Sequence, residues 1–249
     1  MSRAGAIPVG LARKRAEDAP LRVAAGRAEW KPLVALGKMR AECRDLVARA
    51  LEPNVFYDPA FALPAARVFG ADAGAVLVWS KSAPRLIGLF PARIERRYGV
   101  MTTLTGWTHP YAPLGVPLVD RDEAETAITA FLDHVESEPR LPKLIMLPLI
   151  ARDGPFATAL ARVLARRGGA SAPCDVHARA LLAPRKRENY LHYVTHKKLK
   201  ELRRQRRRLE DEGPTAFCVA REPDAVCSAL ADFLSLEASG WKGRAGSAA

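Results

Sequence analysis

A short loop, GWTHPYAPLG at residues 106–115, gathers three side chains of types that bind or activate substrates. Trp107 and Tyr111 offer aromatic surface, and His109 has an imidazole whose ordinary pKa lies near neutral pH. Functional groups concentrate on loops that a rigid scaffold positions. The pattern has two interpretations: the loop borders a substrate cleft with His109 as general base, or it is a rigid, proline-rich connector.

Histidine and cysteine spacing does not indicate a metal site. His192 and His196 lie four residues apart, on one face if helical, but the Glu of an HExxH motif is absent and no third ligand is evident. The four cysteines contain no CxxC pair: Cys43, Cys174, Cys218 and Cys227. We therefore expect neither a metal nor a disulfide framework, and the thiols indicate a reducing cytoplasm.

Residues 185–210 are the most basic part of the chain. They hold eleven Lys or Arg against three Glu, within a chain of net charge +12. Leucines recur near helical spacing: Leu191, Leu199, Leu202 and Leu209. This apolar stripe favours a helix that packs between two lobes and attracts anions with its other face. The cations of that anion-binding face are Lys197, Lys198, Lys200, Arg203, Arg204, Arg206, Arg207 and Arg208.

A second hypothesis makes the same segment a nucleic-acid or anionic-polymer binding element. Its cations could neutralise several phosphates, and such binding weakens steeply as salt rises. Stacking aromatic side chains are scarce nearby, where only Tyr190 and Tyr193 occur. A third hypothesis is a non-catalytic interaction subunit that forms an oligomer.

Strand-like and helix-like stretches alternate along the chain, whose 249 residues are 49% hydrophobic. The patterns predict strands at 21–26, 75–80, 85–95, 101–107, 143–150, 177–183 and 214–220, and helices at 28–51, after Asn54, after Asp120, at 153–169 and at 223–239. We expect Asp120 to cap its helix, and Gly168 and Gly169 to end the next one. This order predicts an α/β fold with a central sheet.

The order of elements resembles that of the GCN5-related N-acetyltransferases. The segment from Lys198 to Ala248 resembles the junction of the two-lobed cellulose-biosynthesis acetyltransferases of the CelD/BcsL type, where a basic helix leads into a strand, a helix and a GWKGR-G-A signature. The matching residues are Leu209, Gly213, Phe233, Leu236, Gly240, Trp241, Lys242, Gly243, Arg244, Gly246 and Ala248. NVFYDPAFALPAA and RLIGLFPARI resemble the first lobe of that family.

The resemblance implies a first lobe with a mixed central sheet flanked by helices, at residues 20–183, after a flexible basic tail at residues 1–19. A basic linker helix at residues 184–213 and the start of a second lobe at residues 214–249 would follow. The chain would then be a fragment or a natural truncation, with weak or no activity of its own.

The resemblance also implies acyl transfer from acetyl-CoA or another acyl-CoA to an amine-bearing acceptor, without a metal, in polysaccharide or cell-envelope metabolism. Trp241, Lys242 and Arg244 would meet an anionic donor or a sugar. The family holds the CoA pyrophosphate on N–H groups at a helix start. In the first lobe that position is crowded by carboxylates: Asp120, Asp122, Glu123 and Glu125. We therefore expect the donor in the second lobe and an acceptor-binding or supporting role for the first.

Hydropathy predicts no membrane-spanning segment. No window approaches the roughly 20 apolar residues that a span needs. The first twenty residues include basic side chains but lack the apolar core of a secretory signal. We expect a cytoplasmic protein.

Overall fold

The computed structural model describes residues 2–10, 26–97, 101–179 and 194–247. The chain divides into two compact units, Met1–Leu182 and Ala183–Ala249, here called unit 1 and unit 2. Several expectations lie outside the described residues: those for residues 21–25 and 180–183, for Tyr190, Leu191, His192 and Tyr193, and for Ala248.

A mixed sheet forms the centre of unit 1. Its strands among the described residues are β1 (Ser2–Gly10), β2 (Arg27–Pro32), β3 (Ala73–Trp79), β4 (Leu86–Arg97), β5 (Met101–Gly106), β6 (Leu118–Val119), β7 (Leu144–Ala151), β8 (Ala170–Ser171) and β9 (Asp175–Arg179). The order is β2-β3-β4-β5-β7-β1-β8, with β6 paired to β4 and β9 paired to β1. Strands β5 and β7 run parallel. The other described pairs are antiparallel.

Helices cover both faces of this sheet, which confirms the predicted fold class. They are a 3-10 helix (Leu33–Met39), α1 (Arg40–Arg49), a 3-10 turn (Val55–Tyr57), α2 (Pro59–Phe69), α3 (Ala124–Ser137) and α4 (Pro155–Arg167). Val76 and Val78 of β3 pack in the core beneath α3 and α4. Ala75 and Leu77 pack in the core beneath α1 and α2. Because alternate residues face opposite cores, β3 is buried on both sides and its sequence is continuously apolar.

Several predicted elements of unit 1 are confirmed. The runs at 75–80 and 85–95 form the antiparallel pair β3 and β4, and those at 101–107 and 143–150 form β5 and β7. Helix α4 ends at Gly168, whose φ of 64° lies in the left-handed region that favours glycine. The glycines of RRGGAS, residues 166–171, therefore end this helix, as predicted.

The helix predicted over 28–51 is wrong at its start. Residues 28–32 belong to β2, and α1 begins only at Arg40. The indole of Trp30 covers Gly74 of β3, where any Cβ would overlap the ring. A large ring over a glycine fixes this segment against the sheet edge, and the helical spacing of its apolar residues does not decide its structure.

Asp120 does not cap a helix, contrary to the prediction. Helix α3 begins at Ala124, with Glu123 as its N-cap residue. Asp120 is fully buried and its carboxylate forms an ion pair with Arg49. The carboxylate therefore compensates the charge of a guanidinium group on α1. It also accepts a hydrogen bond from the N–H of Asp122 at 2.9 Å, in the turn before α3.

Residues 2–10, expected within a flexible tail, form β1. This strand pairs with β7 from Ala4↔Ala151 to Gly10↔Leu144, and it pairs with β9 on its other side. The ladder of backbone hydrogen bonds on both sides orders a segment whose composition suggests no structure.

Unit 2 consists of helices and extended chain in the described residues. Helix α5 (His196–Glu212) is followed by α6 (Pro223–Ser239), which confirms the helix predicted there, and by α7 (Trp241–Arg244). The strand predicted at 214–220 is wrong, because these residues pair with no strand. None of the residues of α5 is buried. None of the described helices has the length and apolar character needed to cross a membrane.

Candidate functional site

The loop that carries His109 lies between β5 and β6, two strands that pair with the same side of β4 in the middle of the sheet. Strand β5 pairs with β4 as far as Gly106↔Ala92, and β6 resumes on the same side of β4 at Leu118↔Leu89. The N–H of Trp107 still donates to Pro91 O at 2.9 Å. Residues 108–117, here called the inserted loop, thus leave the sheet opposite Phe90 and return to it. The loop starts at the carboxyl end of β5, where open α/β sheets place their ligands.

The inserted loop is anchored between β7 and the chain after α1. The N–H of Gly115 donates to Leu149 O at 3.2 Å. Asn54 Nδ2 donates to Leu114 O at 3.3 Å and to Val116 O at 2.9 Å. A Cβ on Gly115 would overlap Pro148 O, so only glycine allows this close approach. The parallel pairing of β5 with β7 stops at Thr105↔Met146, and the loop occupies the space beyond it.

Trp107 belongs to the core and is not accessible to a substrate. Its side chain is fully buried and its Nε1 donates to Phe69 O at 3.1 Å. Its own carbonyl accepts from Tyr57 Oη at 2.6 Å. The expectation of a substrate contact at Trp107 is therefore replaced by a structural role: it holds α2 against the end of β5.

His109 lies in an aromatic cage beside Trp107. Only 9% of the residue is exposed. Its ring stacks on Phe69 with the ring centroids 4.7 Å apart and on Phe61 at 6.0 Å, and it is tilted against Trp107 at 5.1 Å. Tyr111, which is 65% exposed, continues the aromatic surface outward from Phe69.

The hydrogen bonds of His109 determine which proton it carries. Its Nδ1 accepts from the N–H of Tyr111 at 3.3 Å, so a neutral ring has its proton on Nε2. Nε2 is buried and has no hydrogen-bond partner among the described residues. Burial, and then the positive charge of Arg93, lowers the pKa of His109 below its ordinary value. The imidazole is therefore poised to donate a hydrogen bond from Nε2, whereas the sequence suggested a general base.

A cleft of about 620 Å³ opens on the other face of the sheet, at the N-termini of α3 and α4. Both helices begin on the side of the carboxyl ends of β5 and β7. The charged residues that line the cleft are Arg121, Asp122, Glu123, Glu125, Asp153 and Arg162. Thr126 and Thr158 add hydroxyl groups. With four carboxylates and two guanidinium groups, the lining is net acidic.

The cations of this cleft are already engaged. Arg121 donates to the carbonyls of Arg49 at 3.1 Å and Ala48 at 2.8 Å, at the C-terminus of α1. Arg162 lies 3.7 Å from Glu125. Glu125 also accepts from Arg166 at 2.6 Å, and this hydrogen bond lowers the pKa of Glu125. Glu123 and Glu125 are paired in turn, with Arg85 and Arg166, so the exposed carboxylates that a ligand would meet are Asp122 and Asp153.

Glu52 is a residue that sequence analysis missed. It follows Leu51, which lines the cleft, and its Oε2 accepts from the N–H of Phe156 in the first turn of α4 at 3.3 Å. Gly154 leaves room for this carboxylate, since a Cβ there would lie 2.8 Å from Oε2. Burial raises the pKa of Glu52 despite that hydrogen bond. Glu52 and Phe156 lie 104 residues apart along the chain, so no local sequence pattern indicates that they meet.

Asp120 forms a buried charge network next to the cleft. Arg49 contacts its carboxylate directly, and Arg85 Nη2 lies 3.7 Å from it. Arg85 also binds Glu123 at 2.8 Å, which joins the network to the cleft lining. These contacts satisfy a buried anion and fix the turn from which α3 begins.

The remaining candidates lie in unit 2. Trp241 is 68% exposed, Arg244 is exposed, and Lys242 is paired with Glu237. The eight cations of the predicted anion-binding face all lie on α5 and all are exposed. Two of them form ion pairs within the helix, Arg204 with Glu201 at 2.7 Å and Arg206 with Glu210 at 2.8 Å.

No model of a known protein family matches the chain, and no curated protein sequence matches it either. In the part of the chain that the structure describes, no group of three or more His, Cys, Asp or Glu is placed to hold a metal ion. The chemistry of the site is therefore inferred from its own geometry.

Proposed function

We propose that unit 1 is the acceptor-binding part of an acyl-CoA-dependent N-acyltransferase of the GCN5-related type, acting in polysaccharide or cell-envelope metabolism. One observation carries the proposal: the net-acidic cleft at the carboxyl ends of the parallel strands β5 and β7. A protonated amine is attracted by carboxylates, whereas the pyrophosphate of CoA is repelled by them. The free thiols of the four cysteines fit a cytoplasmic location.

In the proposed reaction, residues that line the cleft and the adjoining Glu52 have separate roles. Asp122 and Asp153, both exposed at its rim, attract the ammonium form of the acceptor. Glu52, which follows the cleft-lining Leu51 and is hydrogen-bonded to the first turn of α4, takes the proton from the amine. Burial raises the pKa of this carboxyl group. The free amine then attacks the thioester carbonyl: the C–N bond forms, the C–S bond breaks, and the second proton lost by the nitrogen passes to the thiolate, which leaves as the thiol. Backbone N–H groups polarise the carbonyl, as in other acyl transfers.

The proposal places the acyl-CoA donor outside unit 1. The start of α3, which would have to face a pyrophosphate, carries Asp122, Glu123 and Glu125. The space beyond the end of β5 is filled by Gly115 and its neighbours. Trp241, Lys242 and Arg244 remain the candidates for donor contact, as the resemblance implies.

Calorimetric titration of the full chain tests the proposal, with spermidine and glucosamine as amine probes and acetyl-CoA as donor. We expect amine binding that the double variant D122N/D153N weakens at least tenfold. The control variant D72N/D175N removes two exposed carboxylates elsewhere in unit 1 and should bind like the parent. Tight acetyl-CoA binding that the cleft variant alters would contradict the assignment, because the cleft would then hold the donor.

A further inference from the structure

Helix α5 separates its charges from its leucines. Six cations, spaced three or four residues apart, share one face of the helix. They are Lys197, Lys200, Arg203, Arg204, Arg207 and Arg208, and all are exposed. Leu199, Leu202 and Leu209 lie on the opposite side, with Leu202 42% and Leu209 61% exposed. Arg206 lies among the leucines, where it pairs with Glu210. From Lys197 to Arg208 the cationic face has no apolar residue within it, and Asp211 follows on the same side of the helix.

The charges of α5 are placed against the helix dipole. The first turn contains Lys197 and Lys198 and no acidic residue, and the last turn contains no basic residue. The C-terminal end instead carries Glu210, Asp211 and Glu212. Cations at an N-terminus and anions at a C-terminus destabilise an isolated helix. An anionic partner on the N-terminal half would neutralise the lysines and complement the dipole, so the pattern suits a bound helix better than a free one.

We infer that the cationic face of α5 binds the phosphate backbone of duplex nucleic acid without reading its sequence, an activity separate from the proposed acyl transfer. Arginine, which supplies four of the six cations, binds phosphate oxygens through two donors at once. From Lys197 to Arg208 the face extends about 16 Å along the helix, enough to follow several phosphates.

The same geometry separates duplex nucleic acid from other anionic partners. A helix at a lipid interface buries a broad apolar face and keeps its cations on the polar face. The apolar side of α5 has only three leucines, which Arg206 interrupts, and no aromatic residue. A single strand is held by stacking on aromatic side chains, and α5 contains no Phe, Tyr or Trp. Its cationic face offers guanidinium and ammonium groups, which are the usual donors to phosphate oxygens.

Fluorescence anisotropy with two labelled DNA duplexes of unrelated sequence tests the inference on the full chain. Arg204 is held by Glu201, so about five cations remain for phosphates and the plot of log affinity against log salt should have a slope of about −4 to −5. Affinity should fall about 250- to 1,000-fold between 50 and 200 mM salt, equally for both sequences. Acyl-CoA and amine are absent, so the result does not depend on the proposed enzyme activity.

Two sets of variants locate the surface. K200Q/R203Q/R207Q should reduce the salt slope by about three. The control K38Q/R67Q/R140Q removes three exposed cations from unit 1 and should leave the slope within about one of the parent. The adjacent single variants R207Q and R206Q add a finer test, since the first lies on the cationic face and the second among the leucines. Far-UV circular dichroism verifies that α5 remains helical.

Three outcomes would overturn the inference. Equal losses in the α5 and unit 1 triple variants would show that net charge alone attracts DNA. Binding to vesicles containing phosphatidylserine that exceeds binding to the duplex, and that requires Leu202, would show a lipid surface. Tighter binding to a single-stranded oligonucleotide than to the duplex would show that bases, and not the regular backbone, are recognised.

Discussion

Unit 1 buries two polar side chains in opposite ways. Asp120 has no exposed surface, and its carboxylate is compensated by Arg49, by Arg85 and by the N–H of Asp122. His109 is almost as deeply buried, but its Nε2 has no partner among the described residues. Removing one partner of a buried ion pair leaves the other charge without compensation, whereas removing an unpartnered donor leaves no such charge behind. The two residues therefore lead to different predictions for the stability of their variants.

Substituting Asp120 with Ala should produce the largest loss of stability. The change removes the buried anion that Arg49 and Arg85 share, although Asp45 and Glu123 still pair with them. Breaking a buried ion pair lowers the free energy of unfolding by up to about 3–5 kcal/mol. Urea unfolding followed by tryptophan fluorescence measures it. The neighbouring exposed Asp122→Ala should stay within about 0.5 kcal/mol of the parent. Equal values for the two variants would show that the network contributes nothing.

Substituting Tyr57 with Phe should produce an intermediate loss. Tyr57 Oη donates to the carbonyl of Trp107 at 2.6 Å, and both groups are buried. Without the hydroxyl the carbonyl loses its partner, which lowers the free energy of unfolding by about 1–3 kcal/mol. Chemical denaturation measures this value, and Tyr111→Phe at an exposed position serves as the control. An unchanged Tyr57 variant would mean that water or another donor reaches the carbonyl.

Substituting His109 with Leu should leave stability within about 1 kcal/mol of the parent, because it removes an unsatisfied donor and keeps an apolar side chain of similar size in the cage. The same denaturation experiment applies, with the exposed His177→Leu as control. A loss of unfolding free energy as large as that of the Tyr57 variant would show that His109 stabilises the fold, as Asp120 does.

The pH dependence of stability should show the smallest effect. The pKa of His109 is lowered in the folded state by burial and by Arg93, so below the unfolded pKa the unfolded chain binds more protons. Stability should therefore fall as pH drops from about 6.5 toward the folded pKa. The free energy of unfolding of the parent minus that of His109→Leu, measured at pH 7 and pH 5, isolates this residue. His134, whose pKa is also lowered by burial, is present in both proteins and cancels. A difference that does not change with pH would contradict the assignment.

Local signals in the sequence were sufficient for much of the fold. The apolar runs of β3, β4 and β7 and the glycine stop after α4 depend on neighbours in sequence, and each was predicted within a few residues. The errors occur where distant contacts decide. The ring of Trp30 packs over Gly74, the carboxylate of Asp120 pairs with Arg49, and β1 forms by pairing with β7. No pattern within a dozen residues contains those partners.

The candidate site was predictable only in part. The loop with His109 was recognised from its residue types, but the roles of Trp107 and His109 depended on burial and on one hydrogen bond to Tyr111. The acidic start of α3 was visible in the sequence. Glu52 and Asp153 were not recognised as its neighbours, because the cleft brings together segments that lie about a hundred residues apart.

The inserted loop has a consequence for how this fold can vary. Both of its ends are hydrogen-bonded to β4, through Trp107 on one side and Leu118 on the other, so the registers of β5 and β6 are set independently of the residues between them. A change of length between Thr108 and Pro117 therefore leaves the pairing of both strands in place, but within this loop Ala112 is buried and the N–H of Tyr111 binds His109. An insertion within a continuous strand would shift the pairing of the residues that follow it. An insertion in this loop, beside His109, leaves the pairing of β5 and β6 with β4 unchanged.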